Sequence, residues 1–120
     1  MSLDAYRKTQ TTVASPRQAE YLAFSEITRA LMEAEAAGPD ALKARIEAVH
    51  ANRQLWGALA SDCADERNLL PEKTRAQIIV LSRWVASYSS DAMRKRESLE
   101  PLVDVNKIIM EGLAARRPAA

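Results

Sequence analysis

The sequence is poor in the residues that small domains use as staples or as reactive groups. It has one cysteine, Cys63, so no disulfide can form within the chain. It has one histidine, His50, and three scattered glycines. A lone histidine and a lone cysteine cannot supply the three or four nitrogen and sulfur ligands of most zinc sites. Separated glycines exclude a glycine-rich phosphate loop. No apolar run approaches the ~18 residues of a membrane-spanning helix. The N-terminus, MSLDAYRKTQ, lacks the apolar stretch of a signal peptide. With the unpaired cysteine, these absences point to a cytoplasmic protein. Charge of one sign is also missing. A net charge of +1 gives no field to hold a polyanion, which counts against nucleic acid as the main ligand.

What is present is helical. The 120 residues, 48% hydrophobic and 28% charged, describe one globular domain with enough apolar surface for a core. Residues 1–14 are polar, with β-branched Thr11, Thr12 and Val13 and little periodicity, and read as an extended or mobile arm whose Tyr6 either docks onto the bundle or faces solvent. Residues 15–120 read as the single domain. Ser15-Pro16-Arg17-Gln18 is a helix start: a serine cap, a proline in the first turn and a capping-box glutamine. Tyr21, Phe24, Ile27, Thr28 and Leu31 form its stripe, and Gly38-Pro39 breaks the chain. In a second helix Leu42, Ile46, Val49, Trp56, Ala60 and Cys63 share a face, and Leu55 points away from it as an exposed leucine.

The stretch LLPEKTRAQIIVLSRWVASY, residues 69–88, is apolar nearly all round, which predicts contacts on several sides and a central helix. Trp84 widens its Ile78–Leu81–Val85–Tyr88 stripe and reads as a packing residue between helices. Pro101 opens a last helix with Leu102, Val105, Ile108, Ile109 and Leu113 on one face. Helices are therefore predicted over 16–37, 40–64, 71–95 and 101–114. The short links make the fold an all-α antiparallel bundle of about four helices.

Chemistry discloses no active site. His50 has Glu47 one turn before it but no second ligand at metal spacing, so it reads as a helix-surface histidine. Cys63 has no base near it in sequence and reads as a small, partly buried residue. Asp62, Asp65 and Glu66 lack calcium-loop spacing, and Arg94-Lys95-Arg96 is a short basic helix end. Neither a catalytic residue nor a cofactor is expected.

Several segments together resemble a known family. AYRKTQ, SPRQAEYLAFSEITRAL, the LW of the second helix, NLLPEKTRAQIIVLSRWV and EPLVDVNKIIMEGL are similar, in this order, to the FlaF flagellar biosynthesis regulatory proteins of alphaproteobacteria. The resemblance implies a non-enzymatic factor needed for flagellin synthesis or export. It implies flagellin as the partner, bound as an export chaperone binds it. The alternative is a regulator of flagellin mRNA, acting directly or with FlbT. Leu55, Ile79, Val103 and Met110 lie off the main stripes of their helices, so they are the residues expected to meet a partner through apolar contact.

Overall fold

The computed structural model of the protein describes residues 16–115. Four helices account for nearly all of them: α1 (Pro16–Ala37), α2 (Leu42–Ala64), α3 (Glu72–Lys95) and α4 (Glu100–Ala115). The described residues contain no strand. The expected arm over 1–14, the Ser15 cap and the C-terminal tail lie outside the described residues.

The links are where proline and glycine place them. Gly38 adopts φ 95°, a left-handed conformation that suits glycine because it has no Cβ. A tight turn follows, with Ala41 N donating to Gly38 O and Leu42 N to Asp40 O, and it delays α2 by two residues from its predicted start. Pro71 stands just before α3, and its carbonyl accepts the first helical hydrogen bond, from Arg75 N. The other end of α3 stops at Arg96, which takes the left-handed position at φ 53° and pairs with Asp40 at 2.9 Å.

α1 packs along both α2 and α4, α2 also packs along α3, and α3 barely touches α4. The centre is therefore the α1–α2 pair, and the predicted central stretch is a flank. α3 buries only Ile78, Val85, Ser89 and Ala92, and Val80 on its outer side is 61% exposed. The misreading has a physical cause. Hydropathy weights bulky residues, whereas α1 and α2 meet partly through alanines, Ala23, Ala34, Ala48 and Ala51, which are all buried. Alanine contributes little to a hydropathy pattern, yet it leaves room for a neighbouring helix.

A second correction follows from the same arrangement. Leu55 is 5% exposed and belongs to the core, because α2 is packed on more than one side and its buried surface is wider than a single stripe. Leu42 and Ile46, assigned to the buried stripe, are 44% and 54% exposed. Trp84 is also displaced from its expected role. It lies at the surface, stacked on Tyr88 with ring centroids 5.2 Å apart. The core tryptophan is Trp56, 1% exposed, which meets Phe24 edge to face at 5.7 Å.

Candidate partner-binding surface and its polar framework

Two polar networks fix the helices, one buried and one half-exposed around a buried arginine. The first lies in the middle of the bundle. Trp56 Nε1 donates to Asn106 Oδ1 at 2.8 Å. Asn106 Nδ2 in turn donates to Asn52 Oδ1 at 2.8 Å and to Thr28 Oγ1 at 3.1 Å. The Thr28 hydroxyl points to Met110 Sδ at 3.9 Å. One asparagine thus ties α4 to both α1 and α2. Sequence reasoning missed it, although the signal was present. Asn106 falls between Leu102 and Ile109 at spacings of 4 and 3, a polar residue inside an apolar stripe. Such a residue needs a buried partner.

The second network closes one end of the bundle. Arg45 is 1% exposed. Its Nη2 donates to Glu97 O at 2.6 Å and to Ala92 O at 3.4 Å, and its Nη1 lies 3.8 Å from Glu35 Oε1. The other Glu35 oxygen, Oε2, accepts from Leu99 N at 2.7 Å, from Glu100 N at 3.2 Å and from the Ser98 hydroxyl. A carboxylate of α1 therefore caps α4, where free backbone N–H groups and the helix dipole favour negative charge. Tyr88 OH donates to Ser98 O at 2.7 Å. Burial holds the Tyr88 phenol above its usual pKa, and the nearby carboxylates of Glu97, Glu35 and Asp91 add to this while Arg45 opposes it.

The residues weighed for chemistry are dispersed. His50 is exposed on α2, Cys63 is buried, and Asp65 pairs with Arg67 in the α2–α3 link at 2.8 Å. The hydrogen bonds from Arg67 hold the Asp65 carboxyl below its usual range. The residues expected to meet a partner are separated too. Leu55 and Val103 are in the core, while Ile79 and Met110 are half-buried against it.

Among the described residues, shallow grooves lie on both sides of α2. The one against α1 has a volume of about 230 Å³, a floor rich in alanine, and Glu26, Glu33 and Glu47 at its sides. The one against α3 has a volume of about 240 Å³. Trp56 and Val85 form its floor, with Gly57, Ser82 and Ala86 around them and Arg53 and Arg83 at the rim. Neither arginine is ion-paired among the described residues, and no carboxylate lines this groove. Leu42, Ile46, Arg53 and Gly57 fall at spacings of 4, 7 and 4, so the exposed Leu42 and Ile46 continue the same side of α2.

No described helix is long and apolar enough to cross a membrane. Neither the curated proteins nor the solved structures contain a match to this chain. A protein-family comparison does match, over residues 2–113, and its description is flagellar protein FlaF. The match spans all of α1, α2 and α3 and nearly all of α4, so the chain belongs to the FlaF family of flagellar proteins.

Proposed function

We propose that this flagellar protein acts in the cytoplasm as a non-enzymatic factor that binds flagellin and promotes its synthesis or export. Family membership over residues 2–113 carries the reading. The surface supports it: large apolar side chains stand exposed on several helices, among them Ile46, Val80, Trp84 and Ile108. Such residues suit the apolar face of an amphipathic helix. Of the four residues expected to meet a partner, half-buried Ile79 and Met110 keep that role in the proposal. Leu55 and Val103 can act only by shaping the core beneath.

The test is retention of purified flagellin by the immobilised protein between ~50 and ~200 mM salt. Apolar binding survives that range, whereas binding through many phosphates falls by orders of magnitude. Retention of flagellin across the range is the expected result. Failure to retain it, with salt-sensitive retention of flagellin mRNA, would move the function to RNA regulation, alone or with FlbT.

A further inference from the structure

We infer that the groove between α2 and α3 is the seat of the partner, and that its occupant is an acidic amphipathic helix. The inference rests on the flagellin-binding reading above and adds the surface and the chemistry of the segment that fills it.

Charge complementarity selects the occupant. Arg53 and Arg83 stand at the rim with no carboxylate lining the groove and no ion pair among the described residues. Two unpaired guanidiniums over an apolar floor call for carboxylates on a segment that is otherwise apolar. Trp56 and Val85 close the floor but are each 1% exposed, so the apolar contact falls mainly to side chains that stand out beside them. Exposed Leu42 and Ile46 extend the apolar surface along α2, over a length suited to a helix rather than to a single ion.

Gly57 supplies the remaining element. It sits inside α2, where glycine weakens a helix, and its φ is not in the left-handed region. A Cβ built there meets nothing within 4 Å. Neither backbone conformation nor internal packing therefore requires glycine at this position. What it does provide is a bare stretch of backbone in the groove wall, where another helix can approach closely. An RNA phosphate would use the two arginines, but not the apolar floor or the bare backbone.

The experiment measures binding of purified flagellin monomer to the full chain and to three variants. Arg53→Glu with Arg83→Glu reverses the rim. Both residues are exposed, so the helical circular dichroism spectrum should not change. Gly57→Leu fills the groove and favours the helix. Arg29→Glu with Lys107→Glu makes the same change in net charge at exposed positions on α1 and α4. The rim reversal is expected to weaken binding at least ~10-fold, with the control pair within about 2-fold of the parent. Gly57→Leu is expected to raise the melting temperature while weakening binding, a split that a purely structural glycine would not give.

Flagellin binding that ignores both the rim reversal and Gly57→Leu overturns this site and leaves the proposed function standing. Equal losses in the rim and control pairs also overturn it, since the effect is then net charge. If the parent does not bind flagellin, the function and the site fall together. Retention of flagellin mRNA that the rim reversal abolishes would make the groove a phosphate site instead.

Discussion

The two polar networks solve the same problem by different means. In the middle of the bundle every member is neutral, and side chains hydrogen-bond one another across α1, α2 and α4, although Asn52 Nδ2 is buried without a partner among the described residues. At the end, a buried cation donates through Nη2 to backbone carbonyls of the α3–α4 region, with a carboxylate 3.8 Å from Nη1 and Nε buried without a partner among the described residues. A neutral network asks only for hydrogen-bond geometry and responds little to pH or salt. A charged one must also offset the loss of hydration around the guanidinium, and it fails hard when a partner is removed. The middle therefore sets which helices pair, and the end sets how α3 hands over to α4.

The largest effect is expected at the centre of the neutral network. Trp56→Ala should cost about 3–5 kcal/mol, because it leaves a cavity and strands Asn106 Oδ1. A loss of that size takes much of the stability of a domain this large, and thermal melting followed by circular dichroism will measure it. A loss below about 2 kcal/mol would mean that the centre repacks and the neutral network is dispensable.

Arg45→Met compared with Asn106→Ala sets the networks against each other. Methionine keeps most of the volume of Arg45 but frees the Glu97 and Ala92 carbonyls and leaves Glu35 without its cation. The expected cost is about 2–3 kcal/mol. Asn106→Ala strands the indole N–H of Trp56 and should cost about 1–3 kcal/mol. Salt separates them. The Arg45 variant should lose part of the parent's salt dependence, whereas the Asn106 variant should keep all of it. Urea denaturation at low and high salt checks both.

Tyr88 gives a smaller effect with a definite sign. Its phenol is held above the usual pKa, so the folded state keeps the proton at pH values where the unfolded chain loses it. Its contribution is complete below about pH 10 and is lost as the pH rises through the raised value. Tyr88→Phe should cost about 0.5–1.5 kcal/mol near neutrality and flatten the alkaline fall in stability. An alkaline melt of the variant that falls as steeply as the parent's would place the titrating group elsewhere.

Trp84→Ala should have the smallest effect. The side chain is 38% exposed and its clearest partner is the stacked Tyr88 ring, a contact worth about 0.5–1.5 kcal/mol. The contrast with Trp56→Ala is itself the measurement, since the sequence treats both tryptophans as core residues. Similar losses in the two variants would restore the interhelical role that the sequence suggests for Trp84.

The helices were legible because the chain punctuates them. Gly38-Pro39, Pro71 and Pro101 mark boundaries that the structure shifts by no more than two residues. His50 at the surface and Cys63 in the interior were legible for the same reason, as positions on helical faces. Which face meets which neighbour was not legible. Periodicity gives a stripe's direction but not how many helices flank it, so it places Leu55 in solvent and residues 69–88 at the centre, where the structure does not. Both networks escaped for a related reason. Asn106 reaches partners 54 and 78 positions away, and Arg45 reaches across 47 and 52. No local pattern announces such pairings. The groove was half legible: Arg53, Gly57 and Arg83 are plain in the sequence, but only the packing of α2 on α3 makes them one surface.

The alternation of helix directions has a practical consequence. Glu35 meets Leu99 while Thr28 meets Asn106, so α1 and α4 run in opposite senses, and Pro16 and Ala115 lie at the same pole. The Arg45 network occupies the other pole. A fluorophore or fusion domain attached to either end of the helical unit therefore departs from one side of the molecule. A tethered partner helix could be delivered from either end.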